Sequence, residues 1–461
     1  MLDAPTDSAA VILAAGQGTR MKSKLQKVLH PVAGKPMVEH VLEAVAEAGV
    51  AEAVLVVGRG AAQVYERLGD RVRYVEQGEQ LGTGHAALQA RATLADRAET
   101  ILVLCGDTPL IQAATLRALL DVHRSRRPAI TMLTARATDP TGYGRIVRDD
   151  RGQVRGIVEE ASASVEQKAI GEVNSGIYCF RGSWLWSHLD RLEVSPKGEY
   201  YLTDLVGMAA AEGEPIEAVV IADPLEAAGI NDRVQLAEAE RVMRRRVRER
   251  LMRAGVTMID PATCYVDATV AVGRDTVLQP NTTLRGLTVI GEDCEIGPGT
   301  LIEDTRVGDR CRIVASVLEG ATLEDDVVMG PFSRLRPGAH LAKGVEMGNF
   351  GEVKKSYIGP GTKMHHFSYV GDATFGADVN IGAGTITCNY DSETKKKNET
   401  VVEDEVGLGS DTMLVAPVRI GARSTTGAGS VVTHDLPADS VAYGVPASVK
   451  RTRGAANKPP A

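Results

Sequence analysis

The sequence predicts two folds in succession, an α/β domain built on a mostly parallel sheet and then a parallel β-helix. Three observations carry this prediction. In the first half, continuous apolar runs ("AAVILAA", "EAVLVVG", "TILVLCGD") alternate with a helical pattern, "PMVEHVLEAVAEAG", that ends in Gly49. Such runs suit strands buried on both faces, and strand, helix, strand in that order gives βαβ units. In the second half, Val266, Val272, Leu278, Leu284, Ile290, Ile296 and Ile302 recur every six residues, and the phase resumes from Leu323 to Val353. Several of these aliphatics are followed by glycine, as in Ile290-Gly291, Ile358-Gly359 and Ile381-Gly382. No helix or amphipathic strand has period six, whereas one face of a triangular β-helix coil does, with small residues at the corners.

The bulk properties agree. A chain of 461 residues exceeds what one core usually supports, so two domains are expected. Its 44% hydrophobic and 24% charged residues are those of a globular protein, and 4% aromatics fits a solenoid. A net charge of -8 argues against general nucleic-acid binding. The acidic start, Met1-Leu2-Asp3, lacks a signal-peptide pattern and no apolar run reaches membrane-spanning length, so a cytoplasmic protein without an integral membrane segment is expected. The six cysteines form no CxxC pair and read as reduced core residues rather than disulfides or a zinc site. Between the halves, "AEAERVMRRRVRERLMRAG" is free of proline and reads as one connecting helix. Its seven arginines could form an RNA stripe, but without aromatics or glycine-rich RNA motifs nearby a solvated or subunit-packing face is the better reading. The last residues, "RTRGAANKPPA", read as a disordered tail.

The stretch "VILAAGQGTRMKSKLQKVLH" places a glycine-rich, then cationic, loop at the end of a buried strand. It is not a dinucleotide fingerprint, because Met21 stands where the third glycine belongs, and it contains no Walker motif. What remains is a turn whose amides can cradle phosphate, followed by cations that neutralise it. Asp107, in "ILVLCGDTPL", also follows a buried strand; on the residues alone it reads equally as a metal ligand or as the cap of the next helix or turn.

"LAAGQGTRM" followed by Lys27 resembles the signature of the sugar-1-phosphate nucleotidyltransferases. Joined to a hexapeptide β-helix, the chain from about Ala9 to Val449 resembles the bifunctional bacterial N-acetylglucosamine-1-phosphate uridyltransferase / glucosamine-1-phosphate N-acetyltransferase family. The fold this implies is a Rossmann-like α/β nucleotidyltransferase domain (1–231), a linker helix (232–255), a left-handed β-helix acetyltransferase domain (256–449) and a tail (450–461). The activities it implies are acetyl transfer from acetyl-CoA to glucosamine 1-phosphate and then uridylyl transfer from UTP, with release of pyrophosphate. The product, UDP-N-acetylglucosamine, feeds cell-envelope synthesis in that family, whose members resemble trimers.

At the first site the resemblance implies that Arg20 and Lys27 act on the triphosphate, with Leu13, Ala14, Ala15, Gly16, Gln77, Gly82 and Thr83 holding the nucleotide. Gly144, Glu159, Asn174 and Asn231 would hold the sugar phosphate, and Asp107 with Asn231 would hold Mg²⁺. At the second site it implies His366 as base, oriented by Glu352. Arg336, Lys354, Tyr369 and Asn380 would hold the acceptor. Asn389 and Tyr390 would lie around its amine and contribute, with Ala383, Ser410 and Ala428, to the acetyl-CoA site. Three departures from the pattern stand out at the first site: Gln26 before Lys27, Cys105 before Gly-Asp, and "EEASAS" after Ile157-Val158. At the second, Gly444 stands where some relatives have a CoA-binding arginine, leaving Lys450, Arg451 or Arg453 as substitutes, and no one lysine among Lys395, Lys396 and Lys397 is singled out in the loop that breaks the hexad rhythm. Two other readings stay open: a single-activity sugar nucleotidyltransferase with a structural β-helix, and a non-catalytic, exchange-factor-like subunit.

Overall fold

The computed structural model describes residues 6–58 and 60–453, so the acidic start and the last residues of the expected tail lie outside it. The chain divides into two compact units, 1–243 and 244–461. In the first, seven strands run in the order Ile216–Val220, Ile130–Arg136, Glu172–Arg181, Ala98–Cys105, Thr6–Ala14, Glu52–Gly58, Arg73–Gln77. All neighbours are parallel except Glu172–Arg181, which is antiparallel to both of its partners. Arg145–Arg148 and Val154–Val158 form a hairpin that joins this sheet through the Val173–Arg145 bridge.

The apolar runs are strands because both sheet faces are covered. On one face Ile12, Leu55, Leu102 and Leu104 meet Val38, Val41 and Val45 of the helix Met37–Glu47 and Leu116, Leu119 and Leu120 of the helix Ala113–Arg126. On the other, Val11, Val54, Val56 and Val103 meet Ala86, Ala87, Leu185 and Leu205. Each such buried aliphatic contributes about 1.5–3 kcal/mol.

One buried group makes this unit acid-sensitive. His123 is 4% exposed, with Nδ1 2.8 Å from Thr131 Oγ1. Burial, reinforced by Arg181 and Arg124, lowers its pKa to about 4. Below about pH 6.5 the unfolded chain binds a proton that the native chain refuses, so stability present above that pH is lost as pH falls toward 4. His123→Gln is expected to flatten the melting temperature between pH 6.5 and 4; an unchanged slope would remove His123 as its cause.

The Arg233–Arg253 helix carries the division between the units inside it, between residues 243 and 244, within the stretch expected as a linker helix. The reason is packing: Ala239 and Val242 join Val32, Met37, Leu110 and Ile230 in a core of the first unit. The later turns belong to the second, where Arg244 lies 5.2 Å from the Tyr265 ring and Arg250 donates to Ala268 O at 3.1 Å.

The second unit is a left-handed parallel β-helix whose three sheets hold twelve, ten and nine strands, successive coils adding one short strand to each face until the incomplete last turns and the terminal antiparallel strand. The sheets begin at Thr257–Met258, Tyr265–Val266 and Ala271–Val272, and each strand pairs with the one a full turn later. Leu278, Leu284, Ile296 and Ile302 point inward and are fully buried. Corners require left-handed backbone, and besides glycine they take Asp275 (φ 62°), Asp293 (φ 55°) and Asp378 (φ 54°). Aspartates also staple coil to coil: Asp304 accepts from Leu287 N at 2.9 Å and Asp309 from Glu292 N at 2.8 Å. Lys450, Arg451 and Thr452, expected in the tail, belong instead to the strand Ala447–Thr452, which folds back antiparallel on Ser440–Gly444 and satisfies that edge.

Candidate active sites

The first site opens at the carboxyl ends of the Thr6–Ala14 and Ala98–Cys105 strands, where a cavity of about 500 Å³ is lined by Leu13, Ala14, Ala15, Gly16, Arg20, Lys27, Gln77, Gly82, Thr83 and Asp107. The loop is held from several sides: Gly106 N donates to Leu13 O at 2.9 Å, Gln80 Nε2 to Ala15 O at 2.5 Å, and Arg233 Nε to Met21 O at 3.2 Å. Gly16 has open space beside its Cα, which leaves room for a ligand. Gly18 is glycine for a different reason, since it sits at φ 62° and an added Cβ would lie 2.6 Å from Lys27 Cβ. The lysine stem therefore packs on bare backbone.

Lys27 Nζ bonds Asp107 Oδ2 and lies 3.1 Å from Asn231 Oδ1. A carboxylate and an amide oxygen thus converge on one cation from distant parts of the chain. Asp107 does not cap the next helix, whose N-cap is Gln112. Among the described residues no set of three or more His, Cys, Asp or Glu side chains is arranged to hold a metal. Asp107 and Asn231 could supply two oxygens to a divalent cation, with water and phosphate supplying the others, as Mg²⁺ prefers.

A second cavity of about 500 Å³ shares Leu13, Thr83, Cys105, Glu199 and Tyr201 with the first and reaches Glu159 and Asn174. Gly144 joins these two: its O accepts from Asn174 N at 2.8 Å, and a Cβ on it would lie 3.6 Å from Glu159 Oε1. Asn174 Oδ1 accepts from Tyr178 OH at 2.9 Å, and Glu159 accepts from Thr203 at 3.3 Å. Gln77 is buried, with Nε2 donating to Gly82 O at 3.1 Å.

On the β-helix, one corner carries His366, Ala383, Ser410 and Ala428 on successive coils. The backbone ladder fixes this: Gly384 N donates to Phe367 O, Asp411 N to Ala383 O and Gly429 N to Ser410 O. All four residues reach solvent, and the three that follow His366 along this corner are small. The adjoining face holds Glu352 beside Tyr369, and its far edge holds Arg336 and Lys354. Asn380 precedes the His366 corner on the neighbouring face.

Glu352 Oε1 accepts from Arg336 Nη1 at 3.1 Å, the charged donor taking the carboxylate. Asn389 and Tyr390 follow the Ile386–Cys388 strand at its far edge, apart from Ala383, Ser410 and Ala428 of the same chain, and Asn389 Nδ2 donates to Asp372 at 2.5 Å.

Residues 10–172 match the model of the MobA-like NTP transferase domain. The bifunctional protein GlmU of Heliobacterium modesticaldum is 52% identical over 94% of this chain and 94% of its own. Those of Pelobacter propionicus (50%; 96% of this chain, 97% of the relative) and Shouchella clausii (48%; 94% and 95%) align over similar lengths. The chain belongs to the bifunctional GlmU family. As a GlmU-family chain it is a transferase carrying both halves in order.

Some lining residues were not foreseen. Glu199 and Tyr201 line both cavities of the first site, and they are placed there by Gly82: at φ 96°, its Cβ would lie 2.6 Å from Tyr200 O. The signal was present in "QLGTGHA", but its partner is more than a hundred residues away. Glu160, in the atypical "EEASAS", pairs at 2.6 Å with the buried Arg145. Gln26 keeps φ at -60° and ties its loop to Gly60 O at 3.1 Å.

Two predictions arise here. Gly18→Ala must strain a left-handed residue by about 1–2 kcal/mol and displace Lys27, so pyrophosphate formation is expected to fall about tenfold or more with the fold intact by circular dichroism. Unchanged turnover would show that Lys27 does not depend on this contact. Burial, and then the Asp107 carboxylate, pushes the Cys105 thiol up to about 12. Although it lines the cavity, Cys105 is expected to resist iodoacetamide at pH 8 by peptide mass spectrometry, whereas rapid alkylation would show that the thiolate is accessible.

Proposed function

We propose that the chain makes UDP-N-acetylglucosamine on two separate sites, acetylating glucosamine 1-phosphate on the β-helix and transferring uridylyl to the product on the α/β unit. The observation that carries the second step is the convergence of Asp107 and Asn231 on the Lys27 ammonium beside the Gly16 loop. In that step an anionic sugar phosphate attacks an anionic α-phosphate, so charge neutralisation is the main task. Asp107 and Asn231 would hold Mg²⁺, which supplies neutralisation of the triphosphate when bound. Lys27 then releases its two oxygens and turns to the phosphates, while Arg20, on the same cavity wall, neutralises the leaving pyrophosphate. Gln77 and the Gly82–Thr83 backbone read the base, and Gly144, Glu159 and Asn174 hold the sugar.

On the β-helix, His366 takes the proton from the acceptor's ammonium, the amine attacks the carbonyl of the acetyl thioester lying along Ala383, Ser410 and Ala428, and the C–S bond breaks as CoA leaves and takes up a proton as the free thiol. Arg336 and Lys354 hold the acceptor's phosphate at the opposite edge, with Tyr369 and Asn380 on its sugar. Lys450, 5.5 Å from the Tyr443 ring, is the cation for the CoA phosphate, because Tyr443 abuts Gly427 next to Ala428. The enzyme works in the cytoplasm as a homotrimer; among the described residues no helix is long and apolar enough to cross a membrane. The discriminating test is pyrophosphate release from N-acetylglucosamine 1-phosphate with UTP, ATP or dTTP, with and without Mg²⁺. Release that needs both UTP and Mg²⁺ is expected, and equal rates with all three nucleotides would refute the uridylyl assignment.

A further inference from the structure

Gln77 can read a base only if its amide presents a fixed polarity, and its neighbours fix it. The side chain is 3% exposed and ends the strand Arg73–Gln77 at the wall of the nucleotide cavity. Its Nε2 donates to Gly82 O at 3.1 Å and lies 3.0 Å from His85 Nδ1. A carbonyl turned that way would face Gly82 O, so the nitrogen stands there, His85 Nδ1 accepts, and the ring proton sits on Nε2. Both amide hydrogens are thereby committed to the protein. Oε1 has no partner among the described residues and is not enclosed, which leaves it as an acceptor on the cavity wall.

His85 is itself held in place. It lies on the helix Thr83–Leu88, Gln89 Nε2 donates to its O at 3.0 Å, and its ring centroid is 6.4 Å from that of Tyr200. Tyr200 pins the loop in turn, its N donating to Leu81 O at 2.8 Å and its O accepting from Gly84 N at 2.9 Å. The imidazole lines neither cavity of the first site, so it reaches a ligand only through Gln77. Gly82 and Thr83 do line the nucleotide cavity, and their N–H groups donate to nothing among the described residues. An acceptor beside two donors suits uracil, whose N3–H lies between two carbonyl oxygens, whereas cytosine offers a lone pair at N3. We propose that His85 is a positioning residue for base recognition, its Nδ1 holding the Gln77 amide so that Oε1 rather than an N–H meets the N3 position of the base. This rests on the uridylyl reading above. Without Nδ1, the second amide N–H is a buried donor with no acceptor, and turning it toward the cavity sets donor against donor at N3–H.

The test pairs calorimetric binding of UTP in Mg²⁺ with pyrophosphate release from UTP or CTP and N-acetylglucosamine 1-phosphate, on the full-length protein. His85→Leu is expected to weaken UTP binding, and to raise its KM, about three- to tenfold with kcat and the KM for the sugar phosphate little changed. The preference for UTP over CTP should narrow with it. His85→Asn should restore most of the affinity, because the amide oxygen it introduces can stand where Nδ1 stands. In a Gln77→Leu background, His85→Leu should add no further loss. Unchanged UTP affinity in His85→Leu, His85→Asn no better than His85→Leu, or an equal loss with and without Gln77 would overturn the proposal. Wild-type protein that uses CTP as readily as UTP would sink the uridylyl reading instead, with the action of His85 on Gln77 still read from the calorimetric cycle.

Discussion

Asp107→Ala is expected to lower pyrophosphate formation from UTP and N-acetylglucosamine 1-phosphate at least about 10²–10³-fold while leaving thiol release from acetyl-CoA at the wild-type rate. The carboxylate is one of two oxygens that meet the Lys27 ammonium, and the other, on Asn231, is neutral. Removing it leaves one weak ligand for a divalent cation and frees Lys27 from the position it now holds. Fold loss is not expected, because Asp107 caps no helix and its backbone O still accepts from Ile230 N at 2.9 Å. Pyrophosphate and thiol measured in parallel separate the outcomes. A variant that retains more than a tenth of its activity shows that the cation is held elsewhere, and one that loses both activities shows that the two sites are not independent.

His366→Ala is the mirror case. General-base assistance is worth about 10²–10⁴-fold, and thiol release from acetyl-CoA with glucosamine 1-phosphate is expected to fall by that amount. Pyrophosphate formation from added N-acetylglucosamine 1-phosphate is expected to remain unchanged. The imidazole reaches solvent at the head of the small-residue corner and makes no hydrogen bond to Glu352. Glu352→Gln should therefore be milder, acting through Arg336 on the KM for the sugar phosphate. If Glu352→Gln instead abolishes turnover with KM unchanged, the carboxylate orients the base after all when substrates are bound. His365→Ala serves as the control, since that ring is spent on Glu346 at 2.9 Å.

How much of this was legible in the sequence follows from how local each signal is. The β-helix could be read because period six is imposed by the corners of every coil, so the pattern repeats along the chain. The strand ends that carry Gly16 and Asp107 could be read because buried parallel strands are written as apolar runs. The meeting of Lys27, Asp107 and Asn231 could not be derived from spacing, since it joins segments 80 and 204 positions apart in the chain. The residue types pointed to the chemistry, and resemblance supplied the pairing. The Arg336–Glu352 pair could not be read from spacing, because Arg336 and His366 both lie one coil away, on opposite sides, and only the structure shows the Arg336 contact. The strand Ala447–Thr452 was hidden by composition, for "VKRTR" looks solvated, yet an edge needs backbone partners rather than apolar side chains.

The central claim is that one chain carries two complete chemistries in series. It is tested most directly by incubating the wild-type protein with glucosamine 1-phosphate, acetyl-CoA, UTP and Mg²⁺ while following free thiol and pyrophosphate separately. Thiol is predicted to appear first, pyrophosphate to follow after a lag and approach equal amounts, and omission of acetyl-CoA to abolish both. Pyrophosphate without thiol would contradict the account and reduce the β-helix to a scaffold.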